Sequence, residues 1–415
     1  MNLQNRSLIV LFLLISNIIY SQDFWHSAGG PVNGNVTSII IDKSSSLIFA
    51  GTSNGGVYRA SLITSGSFTW TQINTGLTET NVSAMVMNSE GDLLAGIFGN
   101  GIFISHDHGD SWFRSDSGIT NPYIYSMAAG SNGVLYAGTG QRCYRSVNDG
   151  TFWTPVTTGF PVSNVMSLAV SSTGHVFATT LGLGLYRSTD NGDHWELKDS
   201  GITNPDIRSV AVNSAGFIFA GTYNGIFRSD NNGEYWSRKD SGITSASPVF
   251  SIAFNSPDNV FAGKFGGGVF LSTDEGEFWT GVNSGLTDLR VNVIVSGPDG
   301  VMYAGTNGNG IFESINTITV LEQHEQTLKI SELSQIFPNP FNPYTHFRFY
   351  LSENSDVHIN IYNALGKKTA SLFSGNLSAG SHEYIFEAGD LSAGIYFFEF
   401  KSNGIREIRK LILLK

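Results

Sequence analysis

Short apolar runs alternate with polar turn-forming residues along most of the chain, and glycine, asparagine, aspartate and serine separate the runs. The runs are about five residues long, and no long segment shows the 3.6-residue period of an amphipathic helix. Runs of this kind, bounded by turn residues, are typical of β-strands. The 48 glycines fit the pattern, because tight turns often need a positive φ that glycine adopts without a steric penalty. The pattern therefore predicts an all-β protein.

A tryptophan marks this strand pattern at a fixed period. Six of the seven tryptophans follow one another at intervals of 42, 41, 42, 41 and 43 residues: Trp70, Trp112, Trp153, Trp195, Trp236 and Trp279. A second phrase, of the type IFAGT, runs in step with the first and carries a small residue at a matching place: Ala50, Ala95, Ala137, Ala178, Ala220, Ala262 and Ala304. Four short strands in each unit of about 42 residues predict a β-propeller, with seven blades at residues 23–316.

The seventh unit lacks its last strand. It ends at residues 313–316 and does not reach a glycine and a tryptophan. Residues 23–27, which contain Trp25, read like the beginning of an outer strand in the other units. We therefore expect residues 23–30 to complete blade seven, so that the ring closes and no blade edge stays open.

Five of the tryptophans end one phrase, S-x-D-x-G-x-x-W or its variant with asparagine, as in STDNGDHW at residues 188–195. This phrase resembles the Asp-box, or BNR, repeat of sialidases, xyloglucan-cleaving glycosidases, sortilin-type receptors and a photosystem II assembly factor. In such a turn a short side chain accepts hydrogen bonds from turn amides, glycine takes the left-handed position, and tryptophan packs between blades. We expect a structural role for these residues: Asp107, Asn148, Asp190, Asn231, Asp274, Trp25, Trp70, Trp112, Trp153, Trp195, Trp236 and Trp279.

Residues 1–22 read as a secretory signal peptide, with an apolar run too short for a lasting membrane span. No other segment predicts a transmembrane helix. The single cysteine, Cys143, takes the place of aliphatic residues in the other units, so we expect a buried core thiol. A formal net charge of −11 argues against nucleic acid as a partner, since nucleic acid calls for a basic stripe.

The repeat stops after residue 316, and residues 317–334 read as a polar linker. Residues 335–415 carry alternating strands that predict a small Ig-like β-sandwich. Their motifs resemble the type A sorting domain of type IX (Por) secretion in Gram-negative bacteria: PNPFNP at 338–343, IYNALGKK at 361–368, LSAGIYFFEF at 391–400 and KLILLK at 410–415. The resemblance implies that residues 335–415 engage the type IX machinery, and that the protein is secreted or held at the outer-membrane surface.

Ligand sites of propellers usually lie on the face that carries the connections between blades, around the ring axis. Residues on these connections vary between the blades, and small residues or asparagine are the commonest. The following differ most from these: Tyr123, Tyr125, Asp206, Arg208, Phe250 and Arg290 before or in the inner strands, and Arg142, Tyr223 and Phe265 after the second strands. Aromatic rings with a few polar groups suit both sugar rings and peptide side chains. We therefore predict a binding face for an extracellular glycan or protein.

A glycoside hydrolase of the Asp-box superfamily acting on a polysaccharide is the alternative, and a scaffold that binds only its own secretion or envelope partners is a third hypothesis. Hydrolysis needs two carboxylates about 5–10 Å apart. On the candidate face we find Glu79, Asp206 and Asp288, on blades that are not obvious neighbours. A sialidase would also need an Arg-Ile-Pro phrase, which is absent, and xyloglucanases of this kind carry two propellers. We therefore expect a non-catalytic protein.

No metal and no cofactor are expected. His106 and His108 occupy variable positions of one Asp-box turn, and the sequence supplies no third ligand at a suitable spacing.

Overall fold

The computed structural model describes residues 23–31, 34–62, 68–256, 259–315, 332–337, 339, 341–351, 354–378, 380–389, 391–402 and 405–414. The predicted signal peptide and most of the predicted linker lie outside the described residues. The chain forms two compact units, at residues 1–316 and 317–415.

Seven antiparallel sheets of four strands make up the first unit, and each sheet is one blade. The strands of blades one to four are Val36–Asp42, Leu47–Thr52, Gly56–Ser61 and Thr71–Gln72; Val82–Met87, Leu93–Ile97, Gly101–Ser105 and Phe113–Arg114; Ile124–Ala129, Leu135–Thr139, Cys143–Ser146 and Thr154–Val156; and Val165–Val170, Val176–Thr180, Gly184–Ser188 and Glu196–Leu197. Those of blades five to seven are Ile207–Val212, Ile218–Thr222, Ile226–Ser229 and Ser237–Arg238; Val249–Phe254, Val260–Lys264, Gly268–Ser272 and Thr280–Gly281; and Val291–Ser296, Met302–Thr306, Ile311–Ser314 and Trp25–Ser27. The predicted all-β propeller class is confirmed; one short 3₁₀ helix, Pro298–Gly300, interrupts the strands of blade seven.

The outer strand of blade seven comes from the other end of the chain. Strand Trp25–Ser27 pairs antiparallel with Ile311–Ser314. The Trp25 indole is 1% exposed, and its Nε1 donates a hydrogen bond of 2.6 Å to the carbonyl oxygen of Val282 in blade six. The first strand of the propeller therefore covers the open edge of the last blade.

Side chains of the inner strands link each blade to the next. Ser126 Oγ donates to the carbonyl oxygen of Val165 at 3.0 Å, and Ser209 Oγ donates to that of Val249 at 3.0 Å. Between blades seven and one, a side-chain amide replaces the hydroxyl group: Asn292 Nδ2 donates at 3.0 Å to the carbonyl oxygen of Val36. The links bring backbone polar groups of adjacent blades into register around the axis.

The Asp-box turn of blade four shows how the repeated phrase holds its shape. Ser188 Oγ donates to Asp190 Oδ1 at 2.8 Å, and Asp190 Oδ1 accepts the backbone N–H of His194 at 2.9 Å. The bond from the His194 amide, with further bonds from His194 and Ser188, lowers the pKa of Asp190 to about 2. Two successive residues take left-handed conformations, Asn191 with φ 57° and Gly192 with φ 94°, whereas the sequence suggested only the glycine.

Asparagine makes the same turn in two blades. Asn148 Oδ1 accepts the backbone N–H of Phe152 at 3.0 Å, and Asn231 Oδ1 accepts that of Tyr235 at 3.0 Å. An amide oxygen therefore replaces the carboxylate in this bond.

Arginines of four third strands bond the Asp-box turn of the next blade. Arg187 Nη1 of blade four donates at 2.7 Å to the carbonyl oxygen of Asn232, the left-handed residue of the turn in blade five. Equivalent bonds of 2.7–2.8 Å are made by three other arginines: Arg59 to His108, Arg145 to Asn191, and Arg228 to Glu275. The arginine after the aromatic residue in YR and FR phrases is thus an inter-blade link.

The second unit consists of two antiparallel sheets. One has three strands, Glu332–Phe337, Tyr344–Leu351 and Gly380–Glu387, and the other has four, Lys368–Leu377, Ser355–Asn363, Gly394–Ser402 and Ile405–Leu413. Aromatic and aliphatic side chains from both sheets form one core, in which the rings of Phe347 and Phe398 stack with centroids 4.1 Å apart. The first strand begins at Glu332, inside the segment that we expected to be linker.

Lys264 departs from the repeat at the end of the second strand of blade six. Five of the other blades have a threonine there, whose Oγ1 donates to a carbonyl oxygen of the following turn: Thr52, Thr139, Thr180, Thr222 and Thr306. Lys264 is only 1% exposed, and within the described part of the chain its amine has no hydrogen bond or ion pair. Burial lowers its pKa to about 8, although the negative charge of Asp240 opposes this shift.

Gly201 lies where two blades approach closely. Its φ is 96°, and a Cβ at this position would overlap the carbonyl oxygen of Trp236 in the next blade. Gly216 has a similar φ of 90°, but no atom lies within 4 Å of the place its Cβ would take. The two glycines therefore separate the effect of backbone conformation from that of steric overlap.

We expect Gly201→Ala to destabilise the protein far more than Gly216→Ala. Both changes place alanine in the left-handed region at a cost of roughly 1–2 kcal/mol, but only the first adds a backbone overlap, for roughly 1–3 kcal/mol more. Urea unfolding of both purified variants, followed by tryptophan fluorescence, measures the difference. Equal losses in the free energy of unfolding would contradict the close approach.

We expect Lys264→Thr to stabilise the protein at neutral pH by about 1–3 kcal/mol, because a buried charge is removed and threonine can bond the turn carbonyl. The pKa of this lysine is near 10.5 in the unfolded chain and about 8 in the folded protein. The protein therefore loses stability as the pH falls from 10.5 to about 8, because the unfolded chain binds the proton more readily. The gain should therefore be full below pH 8 and should shrink as pH rises towards 10.5. Unfolding at pH 7 and pH 10 tests this; a gain that is equal at both values would refute it.

Candidate functional site

The connections on one face of the propeller bond to each other around the ring. Within a blade, the residue after the second strand donates its N–H to the segment before the inner strand, as Tyr223 does to Asp206 at 3.2 Å and Phe265 does to Pro248 at 3.0 Å. Between blades, Phe265 also forms a β-bridge with Arg290. The segments that we selected from the sequence are therefore neighbours on this face.

A cavity of about 360 Å³ opens at the ring axis on this face. Six of the seven blades contribute to its lining: Asn35, Thr37, Ser83, Met166, Arg208, Phe250, Phe265, Asn292 and Asn307. Its size suits one or two sugar residues or a few amino-acid side chains, in the lower part of the range of ligand pockets.

Three of the predicted ligand-binding residues meet in this cavity. The rings of Phe250 and Phe265 lie 5.3 Å apart at an angle of 39°, and together they form an aromatic wall. Arg208 comes from the inner strand of the preceding blade and lines the same cavity. An aromatic wall with a guanidinium group offers an apolar surface and several hydrogen-bond donors.

Two arginines on this face, Arg208 and Arg290, are each paired with an aspartate two residues earlier. Arg208 Nη2 donates to Asp206 Oδ2 at 2.9 Å. Arg290 holds Asp288 with two parallel bonds of 2.9 Å, from Nε to Oδ1 and from Nη2 to Oδ2. Burial alone would raise the pKa of Asp288, but the hydrogen bonds and charge of Arg290 outweigh it and lower that pKa. The face therefore carries little net charge near the cavity.

The remaining predicted residues lie outside the cavity lining. Tyr123 and Tyr125 pack edge-on against Phe98, with centroids 5.2 and 5.3 Å apart, and Tyr123 is half exposed. Tyr223 is also about half exposed, and Arg142 lies in the turn of blade three, where its N–H donates to Thr139 Oγ1. These side chains therefore do not share a pocket with Arg208.

The small polar residues of the lining were not predicted from the sequence, because small residues or asparagine are common at these positions of the repeat. Thr37 Oγ1 donates to Val82 O at 2.7 Å and Ser83 Oγ to Ile124 O at 2.6 Å, so their hydroxyl protons link blades. Asn292 Nδ2 donates to Asn35 Oδ1 at 2.7 Å. The side chain of Asn307, which also lines the cavity, has no hydrogen bond with another described residue. What could have indicated them is the recurrence of Asn, Ser and Thr at the starts of the inner strands.

The three carboxylates considered for catalysis do not line the cavity. Asp206 and Asp288 are engaged by arginines, and Glu79 is exposed before the inner strand of blade two. Among the residues that the structure describes, no group of three or more His, Cys, Asp or Glu side chains could hold a metal ion. No helix within those same residues has the length and apolar character needed to span a membrane.

Known proteins resemble this chain in two separate ways. Residues 335–414 match the family model of the secretion system C-terminal sorting domain. No curated protein sequence matches the chain significantly.

Solved structures share the fold at low sequence identity. The extracellular domain of BT4673, described as a one-component system from B. thetaiotaomicron, has a TM-score of 0.58 at 16% identity and covers 79% of this chain, which spans only 44% of that protein. YCF48 bound to the D1 peptide has a TM-score of 0.58 at 16% identity, over 71% of this chain and 96% of that one. PorZ, a surface component of the type IX secretion system of Porphyromonas gingivalis, has a TM-score of 0.56 at 13% identity, over 93% of this chain and 60% of that one.

These similarities show the fold of the propeller and the identity of the second unit. A sorting domain directs a protein through type IX secretion. The chain is thus an all-β protein made of a seven-bladed propeller followed by a type IX (Por) C-terminal sorting domain, and it is exported to the cell surface or outer-membrane surface of a Gram-negative bacterium.

Proposed function

We propose that the propeller is a non-catalytic binding module, which holds an extracellular glycan or protein at the cavity on the ring axis. The observation that carries this proposal is the cavity of about 360 Å³, in which Arg208, Phe250 and Phe265 from two blades converge. A rigid scaffold that presents an aromatic wall beside hydrogen-bonding groups is suited to recognition.

The free polar groups of the cavity favour a neutral or weakly charged ligand group. Arg208 is already paired with Asp206, so its charge is largely balanced, while the Asn307 amide can both donate and accept. Sugar hydroxyls and peptide groups also donate and accept, and both can lay an apolar surface on Phe250 and Phe265. The D1 peptide named with YCF48 makes a peptide a specific second option for this fold.

We expect the double variant Phe250→Ala/Phe265→Ala to lose at least about tenfold in affinity, because truncation of aromatic anchors in a pocket commonly costs 2 kcal/mol or more. The measurement is binding of the purified protein to a glycan array and to a peptide array. Tyr223→Ala is the matched control, since it removes an aromatic side chain from the same face but outside the cavity. Equal losses in the control, or full binding by the double variant, would place the ligand elsewhere.

A glycoside hydrolase is the alternative function. If it were correct, the purified protein would release reducing sugar from a polysaccharide, and Asp206→Asn or Asp288→Asn would abolish that release. We expect no release, because Arg290 lowers the pKa of Asp288, whereas a general acid needs a raised pKa. Release that depends on either aspartate would refute the non-catalytic proposal.

A further inference from the structure

A leucine at the tip of a hairpin in the sorting domain is almost fully exposed. Leu365 lies between strands Ser355–Asn363 and Lys368–Leu377 and is 92% exposed. Other described large hydrophobic residues that are exposed reach at most 72%. A turn of this kind is normally filled by polar residues or glycine, so an apolar tip needs another reason.

Hydrogen bonds within the hairpin fix the backbone that carries this leucine. Asn363 Oδ1 accepts the backbone N–H groups of both Leu365 and Lys367 at 3.0 Å. The Asn363 and Lys367 backbones bond directly, and Gly366 takes φ 75°. A rigid apolar tip loses little conformational entropy when it is buried by a partner.

Two more exposed aliphatic residues lie at the same end of the four-stranded sheet. Asn363, at the base of the hairpin, pairs with Tyr396. Ile395 precedes Tyr396 on the same strand and pairs with Ile412. Ile395 is 44% exposed and Leu414, just beyond the last strand, is 50% exposed. The register thus brings Leu365, Ile395 and Leu414 to the same end of the sheet.

Lysines surround these apolar residues. Lys368 pairs with Tyr362, Tyr362 with Phe397, and Phe397 with Lys410, so both lysines lie in one row across the sheet. Lys367, Lys368 and Lys410 are exposed, and none of them forms a salt bridge with a described residue. This basic group stands out in a chain with a formal net charge of −11.

We propose that this sheet-end patch is the surface through which the sorting domain docks on its export machinery, in an apolar pocket with an acidic rim on a protein component. The patch consists of Leu365, Ile395, Leu414, Lys367, Lys368 and Lys410. A single protruding leucine on a rigid turn fits a concave pocket. The unpaired lysines supply attraction to an acidic rim and speed the encounter.

The test follows export of the full-length chain in a bacterium that has this secretion system. The chain at the cell surface and in the medium is compared with the chain retained in the periplasm, by immunoblotting with and without external protease. We expect Leu365→Ser to lower the exported fraction about tenfold, since the burial free energy of a leucine corresponds to about that change in affinity. The retained chain should be folded, because substitution of so exposed a residue barely affects stability.

Two further variants make the result specific. Ile385→Ser changes another exposed aliphatic residue of the same domain, on the three-stranded sheet, and should be exported like the wild type. Lys367→Glu/Lys368→Glu keeps the leucine and should also lower export, because it replaces positive charges of the patch with negative ones that an acidic rim would repel.

Normal export of both the leucine and the lysine variants would overturn the proposal. An equal defect in Ile385→Ser would also overturn it, because the effect would then not belong to the patch. The purified chain is also mixed with phosphatidylglycerol vesicles. Binding that Leu365→Ser abolishes would assign the patch to an anionic membrane instead of a protein pocket.

Discussion

Closure of the ring by a strand from the beginning of the propeller is the constraint on which the first unit depends. Strand Trp25–Ser27 pairs with Ile311–Ser314, and the N–H of Ile315 donates to the carbonyl oxygen of Phe24 at 2.9 Å. Without this strand, blade seven would present an unpaired edge and an uncovered side of its core. Because the paired segments are almost 290 residues apart in sequence, closure fixes all the blades between them at once.

The links between inner strands explain why the axis is a suitable place for a ligand. The hydroxyl groups of Thr37 and Ser83 bond the next blade, and Asn292 bonds blade one, so part of the cavity wall is held by its own side chains. Such a wall needs little rearrangement to bind, which reduces the entropic cost of recognition. In the blades of Arg208 and Phe250, the serine one position further along the strand bonds the next blade instead. The lining position itself is then free for a larger side chain.

The sequence was sufficient for the fold class, the number of blades and the nature of the C-terminal domain, because each follows from a repeated or ordered motif. It was not sufficient for features that depend on the distance between blades. Gly201 reads as an ordinary turn glycine until the backbone of Trp236 is seen beside it. Lys264 reads as a variable residue, although its side chain is buried. The cavity could be predicted only in part, since Phe265 departs from the repeat while Asn307 does not.

The two proposed recognition surfaces differ in their electrostatics. On the propeller face, Arg208 and Arg290 each have an aspartate two residues earlier, so the binding proposed there would select by shape and hydrogen bonds rather than by net charge. Such contacts act at short range and depend only weakly on ionic strength. On the sorting domain, exposed lysines without a described partner act over a Debye length and favour a fast encounter. The two proposals thus assign long-range attraction to the charged surface of the sorting domain and short-range selection to the neutral face of the propeller.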